Sequence, residues 1–374
     1  MRNVANLSVL HVGSGRYHPN DRSHSTFEIW RELAKGFSRY TVVGRSLSAA
    51  ATIVEGNLTI HLLASSIKRE LEFLWTQRHA VELADKVAAD VVVSQSAVLG
   101  GIAGAAIKRR RGCALLIEIH SDDLFADASF GSKPWLLKRL AGRVLHNADR
   151  IRVLTHRMGA AVVANYGVSL ADRIAVLPPR VDLKRFDPKT DWSCSTSRLK
   201  VVVVGSVTPR KQQLRLLEVV LPQCQEIEFW IVGTGADLPA CEAVVNRARA
   251  EERVRFFGQV NHTQLAGILR DADAFVLYSK SEGTPRAIME AMAVGLPVVT
   301  TNAGYCADII ADGVEGFVLG ENPDAEIVPV LARLRRDQQL RCSLGKAARA
   351  RAVRDYDADI LYPRYRTLIE NAAR

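Results

Sequence analysis

The feature that most constrains this chain is a recurring pattern in which short runs of β-branched and apolar residues are each followed by a stretch with helical spacing. In the first half the runs are "LSVLHVG", "YTVVGR", "LTIHLLA", "VVVSQS", "ALLIEIH", "RIRVLT" and "IAVLPP". They are apolar almost throughout instead of alternating with polar residues, which suits parallel strands covered by helices on both faces. The pattern lapses at residues 180–198, "RVDLKRFDPKTDWSCSTSR", where a proline and several Asp and Ser residues break the period, and a linker is expected there. It restarts with "LKVVVVGS", "IEFWIVG", "VRFFGQ", "AFVLYS", "PVVTT" and "GFVL". The expectation is an α/β chain of two doubly wound parallel-sheet domains, over 1–185 and 186–355, with a helix in 356–374 packing back on the first. At 374 residues the chain is long enough for two such cores. Ligands of these sheets bind beyond the carboxyl ends of the strands, so a crevice between two facing sheets is the expected site.

Charge is distributed unevenly. Residues 1–190 hold 27 Lys and Arg against 17 Asp and Glu, and the remainder 23 against 23, so the net +10 belongs to the first half. A polyanion, or an anionic membrane surface, is a candidate partner for that half, beside the plain reading of a soluble basic face. The amphipathic "SKPWLLKRLAGRVL" at 132–145 and the basic run Lys108 to Arg111 would serve such a surface; a core-packed helix with a solvated charged face fits them equally. No nucleic-acid-binding motif accompanies the charge, so nucleic acid is not an expected partner. Six scattered cysteines without a CxxC pair argue against a zinc cluster or disulfide framework. Without a leader pattern or an apolar run approaching about 18 residues, a cytoplasmic protein is expected, peripheral at the inner face of the membrane if that surface is its partner.

The densest chemistry lies in "SEGTPRAIMEAMAVGLPVVTT", residues 281–301, with Glu282 and Glu290 eight apart. Thr284 is a suitable N-cap, Pro285 suits the first helical position, and Gly295 a left-handed stop, which predicts a helix over 285–294. Its N-terminus follows a strand, so its unpaired amides and positive dipole end favour an anion such as phosphate. Carboxylates are repelled by phosphate but can accept hydrogen bonds from the neighbouring hydroxyls of sugars and ribose. "VVVVGSVTPRKQQ" puts Gly205, Arg210 and Lys211 in the equivalent turn one strand earlier, where two cations could offset a diphosphate.

Together these segments resemble the retaining two-domain glycosyltransferases of family four. The resemblance runs through "ADRIRVLTHRM", "VLPPRVDLKRFDP", "VVVVGSVTPRK", "WIVGTGADLPA", "VRFFGQV", "DADAFVLYSKSEG" and the double-glutamate segment, from about residue 148 onward. It implies the GT-B architecture of two Rossmann-like domains and transfer of a hexose, with retained anomeric configuration, from a nucleoside diphosphate sugar to an acceptor hydroxyl in polysaccharide or lipopolysaccharide synthesis. No cofactor is implied beyond that donor. By the same resemblance, Glu290 would bind the ribose hydroxyls, Glu282 the donor sugar and Lys211 the diphosphate, with the amides of Gly283 and Thr284 at the helix start. Gly258, Gln259 and the loop Gly233 to Gly235 would line the base pocket. His120, after "ALLIEI", would reach the donor sugar, and Gly15, in "GSGRYH", would let backbone approach the reacting groups.

There are departures from the family pattern. Ser206 stands where the family has an arginine, with Arg210 the candidate substitute; Pro179 and Arg180 replace an asparagine-glycine pair, and Thr284 replaces a common aromatic. The Asp271 and Asp273 pair in "DADAF" precedes a core strand instead of lying in the phosphate turn, so no metal site is expected from it. The alternatives are a sugar-nucleotide epimerase of similar architecture and a basic nucleic-acid-binding protein. A nicotinamide dehydrogenase fits poorly, because "GSGRYH" is not a full G-x-G-x-x-G and "YTVVGR" ends without an acidic residue for ribose.

Overall fold

A computed structural model describes residues 6–20, 25–64, 72–120, 134–193 and 198–374. The chain divides into two compact units, Met1–Pro178 with Ile360–Arg374, and Pro179–Asp359. The first contains β1 (Ser8–Tyr17), α1 (Ser25–Ala34), β2 (Arg39–Ser46), β3 (Ala51–Glu55), β4 (Leu58–Leu63), α2 (Glu72–Val87), β5 (Val91–Gln95), α3 (Gly101–Arg111), β6 (Ala114–Glu118), α4 (Pro134–Asn147), β7 (Arg150–Val153), α5 (His156–Tyr166) and β8 (Ile174–Val176). The second contains β9 (Leu199–Val204), α6 (Gln213–Val220), β10 (Ile227–Val232), α7 (Leu238–Arg247), β11 (Val254–Gly258), α8 (His262–Asp271), β12 (Ala274–Leu277), α9 (Arg286–Val294), β13 (Val298–Thr301), α10 (Cys306–Ile309), β14 (Gly316–Leu319), α11 (Pro323–Arg336) and α12 (Gln338–Asp355). The last helix, α13 (Ala358–Ala372), starts in the second unit and runs mostly in the first.

Among the described residues the first sheet has the order β3-β4-β2-β1-β5-β6-β7-β8 and the second β11-β10-β9-β12-β13-β14. Every described pairing is parallel except β3 with β4. That edge hairpin departs from the all-parallel expectation. Its two strands are too close in sequence for a crossover helix, and Asn57 holds the turn by donating to Ala34 O and Phe37 O, both at 2.7 Å. In each sheet the chain starts in the middle and winds outward both ways, reversing at β1/β5 and at β9/β12. Ligands of open α/β sheets bind at such reversals.

Two further expectations are corrected. The first strand does not end at Gly13: β1 continues past a register shift between Val12 and Arg16, pairing Tyr17 with Ser46, so Gly15 lies inside a bulged strand. The segment expected as a linker is, over residues 181–192, laid on the second unit. Lys189 N donates to Val294 O at 2.8 Å, the Trp192 indole to Gly295 O at 2.8 Å, and Phe186 is buried. Its few apolar side chains anchor it despite its polar composition. Pro363 sits inside α13. Cys194, Ser132 and Lys133 lie outside the described residues.

Helix α13 joins the first core through Leu361, Tyr365, Leu368 and Ile369, which cluster with residues of β1, β2, β4 and β5. A buried ion pair reinforces that docking. Glu118 is 1% exposed, Arg152 Nη1 donates to it at 2.6 Å, and the Tyr365 hydroxyl donates to the same oxygen. Arg152 also donates to Leu177 O at 3.1 Å and Pro178 O at 3.3 Å, and its guanidinium lies 4.5 Å from the Tyr365 ring centroid. Burial pushes the Glu118 carboxyl up, but Arg152, with His120 and His11 nearby, outweighs it and holds the group well below the usual carboxylate range. Removing one partner of such a pair typically costs about 3–5 kcal/mol. Arg152→Met should therefore lower the urea midpoint of the full chain by that order, and Arg152→Met with Glu118→Gln should recover part of the loss. An unchanged midpoint in the single variant would contradict the assignment.

Candidate functional site

In the second sheet, the strand ends on both sides of the β9/β12 reversal carry the residues singled out in the sequence. Gly205 follows β9 and Gly233 follows β10, and these turns pass backbone to backbone: Gly205 N donates to Val232 O and Val207 N to Thr234 O, both at 2.9 Å. At Gly233 (φ +134°) a Cβ would lie 2.1 Å from Gly205 O, and at Gly235 2.2 Å from Val207 O, so side chains are excluded. Gly258 closes the row by accepting from Gly233 N at 2.8 Å, and Gln259 beyond it is exposed.

Across the reversal, the loop from Tyr278 to Pro285 is fastened to the turn after β9. Lys280 N donates to Arg210 O at 2.9 Å, and Arg210 Nη1 to Ser281 O at 2.8 Å. Lys211 Nζ donates to Glu282 Oε1 at 2.7 Å, and Arg210 Nη1 lies 3.5 Å from Oε2. Glu282 is 5% exposed and Lys211 12%, so this pair is shielded from water. The structure thus brings Arg210, Lys211 and Glu282 together. Behind Glu282 runs Gly304, at φ +55°, where a Cβ would stand 1.7 Å from Glu282 O. No pattern in the sequence marked that contact.

The helix after this loop starts one residue later than expected. Pro285 is the N-cap, with φ −72° and ψ 114°, and Arg286 is the first helical residue. Thr284 precedes a proline, which disfavours the helical conformation, and its buried hydroxyl has no hydrogen-bond partner among the described residues. The amides of Gly283 and Thr284 likewise donate to no described protein group. Gly295 does stop α9 in the left-handed conformation, at φ +87°.

Glu290 lies on α9, nine-tenths buried at 8% exposure, and makes no hydrogen bond within the described residues. His262 Nε2 stands 3.8 Å from its Oε1. Burial raises its carboxyl above the usual range against the opposing pull of Arg286, His262 and Arg185. None of those three figured in the reading of the sequence, although Asn261-x-x-Gln264 is a capping box that fixes His262 at the start of α8.

The remaining sequence-predicted residues lie in the first unit. His120, with its side chain 43% exposed, stands two residues beyond β6 with Nε2 3.7 Å from Glu118 Oε1, and Gly15 is in β1. Asp273, in the second unit, accepts from Lys200 N at 2.9 Å and lies 3.5 Å from Lys189 Nζ, a structural role. Among the described residues no three His, Cys, Asp or Glu side chains converge as metal ligands, and no helix is long and apolar enough to cross a membrane.

Residues 190–351 match the family described as glycosyl transferases group 1, and residues 24–180 match the glycosyl transferase 4-like domain. The chain belongs to the group 1 glycosyl transferases. It is 28% identical over 270 residues to a D-inositol 3-phosphate glycosyltransferase of Arthrobacter sp. (strain FB24), a match covering 67% of this chain and 63% of that protein, so under two thirds of the relative is spanned. Among solved structures it is similar to the sucrose-phosphate synthase of Thermosynechococcus elongatus, with TM-score 0.80, 19% identity and 98% of each chain covered. It is also similar to Anabaena HepE in complex with UDP-glucose, with TM-score 0.77, 16% identity, and 98% and 100% covered. These neighbours share the GT-B fold of this family member.

The contact at Gly304 generates a test within the family member itself. Gly304→Ala adds backbone strain of about 1–3 kcal/mol and pushes on the Glu282 loop, whereas Gly267→Ala, in α8 with open space around it, should be neutral or stabilising by about 1 kcal/mol. Thermal unfolding of both variants checks this, and equal melting temperatures would contradict it.

Proposed function

We propose that the chain transfers a sugar from a nucleoside diphosphate sugar to a hydroxyl of a glycan, glycolipid or lipopolysaccharide-type acceptor, with retention of anomeric configuration. The observation that carries this reading is the meeting of Arg210, Lys211 and Glu282 at the β9/β12 reversal, immediately ahead of the open N-terminus of α9. Lys211 and Arg210 offset the charge of the diphosphate, and the amides of Gly283 and Thr284 with the start of α9 hold its oxygens. Glu282, released in part from Lys211, accepts from hydroxyls of the donor sugar. Glu290 accepts from the ribose diol, which gives an otherwise unbonded buried carboxylate its partners. The Gly233 to Gly235 loop, Gly258 and Gln259 line the base, while Gly15 and His120 belong to the other unit.

In the reaction, the bond between the anomeric carbon and the β-phosphate oxygen breaks as the acceptor oxygen bonds to that carbon on the same face. The acceptor proton passes to the departing diphosphate, so no separate base is required. Charge on that leaving group is what Lys211, Arg210 and the helix amides stabilise. This chemistry uses no cofactor beyond the donor. A UDP-glucose complex of one structural neighbour makes uridine the first base to test. A lipid-linked acceptor at an anionic membrane is supported by Trp135 and Leu136, 65% and 38% exposed on the same helix as Lys138 and Arg139.

A panel of uridine, guanosine and adenosine diphosphate sugars, read by binding and by slow donor hydrolysis, tests the function, and isomerised donor without hydrolysis would favour an epimerase. Lys211→Ala should cut turnover on the order of 100-fold or more. Glu290→Gln should weaken donor binding about tenfold or more while melting no lower than wild type near neutral pH, since it removes a buried charge. Wild-type behaviour of both variants would reject the site. Flotation with anionic vesicles at low but not high salt is expected, and absence from anionic and neutral vesicles alike would reject membrane attachment.

A further inference from the structure

Glu290 and His262 form a pair that the transfer reaction does not itself explain. His262 is the first residue of α8, and the box in which Gln264 N donates to Asn261 Oδ1 at 2.9 Å and Asn261 N to Gln264 Oε1 at 3.0 Å fixes the backbone there. The Phe186 ring packs on the imidazole at 6.4 Å and 83°. Held from two sides, Nε2 stands 3.8 Å from Glu290 Oε1, a distance at which the interaction is chiefly electrostatic. The other charges acting on Glu290 are Arg286, one turn earlier on α9, and Arg185, on the segment preceding Phe186. Both are guanidinium groups, a class that carries a permanent charge, whereas an imidazole can be neutral or cationic.

We propose that His262 is a positioning residue for donor binding: as an imidazolium it keeps Glu290 ionised and available to the ribose diol when the pH falls. This rests on the reading of Glu290 as the ribose acceptor. An ionised carboxylate offers two acceptor oxygens to two hydroxyls, whereas its protonated form must turn a donor toward one of them. Burial already favours protonation of Glu290, so acidification threatens donor binding earlier than at an exposed glutamate. An imidazole protonated on acidification places a positive charge beside the carboxylate. Acid-side loss of binding is thereby delayed.

Calorimetric titration of the full chain with UDP-glucose and GDP-mannose between pH 5.5 and 8 tests this, because the phosphates of both probes keep constant charge over that range. At pH 8 wild type and His262→Gln should bind within about threefold of each other. At pH 5.5 His262→Gln should bind more weakly than wild type, by about threefold or more, because no imidazolium then stands beside Glu290 to favour its ionised form. His262→Lys, with its permanent charge, should restore acid-side binding. Matching pH profiles of wild type and His262→Gln would overturn the proposal, as would a uniform loss at every pH, which marks a structural role. Binding of neither sugar at pH 8, or wild-type binding by Glu290→Gln, would overturn the Glu290 reading on which it stands.

Discussion

The shielded contact between Lys211 and Glu282 is the interaction on which the arrangement of the second unit's strand ends depends. These residues lie 71 positions apart in sequence, in the turns after two adjacent parallel strands that begin opposite-handed halves of the sheet. The reversal opens a crevice at this point, and the ion pair draws its two rims together. Further backbone links, Lys280 to Arg210 and Arg210 to Ser281, act in the same direction. A charged pair this well shielded is costly unless well bonded. Under the proposed function, a donor carrying anionic oxygens and neighbouring hydroxyls would offer Lys211 a new acceptor and Glu282 new donors at once.

The contrast between two buried carboxylates separates structural from functional chemistry. Glu118 is supplied from several directions, by the guanidinium of Arg152, the phenol of Tyr365 and nearby histidines, and it fixes α13 to its unit. Glu290 is nearly as buried yet accepts no hydrogen bond among the described residues, and burial holds its carboxyl above the usual range. Native interiors rarely leave such a group unsatisfied. Under the proposed function, the ribose diol of the donor supplies the hydrogen bonds that Glu290 lacks among the described residues. The fully bonded network around Glu118 requires no such completion.

The parallel strands of both sheets could be read from the sequence because buried strands are apolar on both faces and announce themselves as uninterrupted runs. The hairpin strand β3 escaped notice because "ATIVE" is short and mostly exposed on one side. Thr284 has the composition of an N-cap, yet Pro285 takes the extended backbone of the cap, at φ −72° and ψ 114°, so the helix starts one residue later. In the site, the family pattern pointed to Lys211, Glu282 and Glu290 one by one and the basic turn to Arg210, but neither could show that Lys211 grips Glu282. The contacts of Gly304 with the Glu282 loop and of His262 with Glu290 arise between elements distant in the chain, where neither periodicity nor spacing carries information.

The most direct measurement is a crystal structure of this chain with a nucleoside diphosphate sugar bound. The diphosphate oxygens are predicted within hydrogen-bonding distance of Lys211 Nζ and the amides of Gly283 and Thr284, with the ribose diol on Glu290. A diphosphate lodged elsewhere, with Lys211 and Glu282 still paired and Glu290 still unbonded, would contradict the central claim.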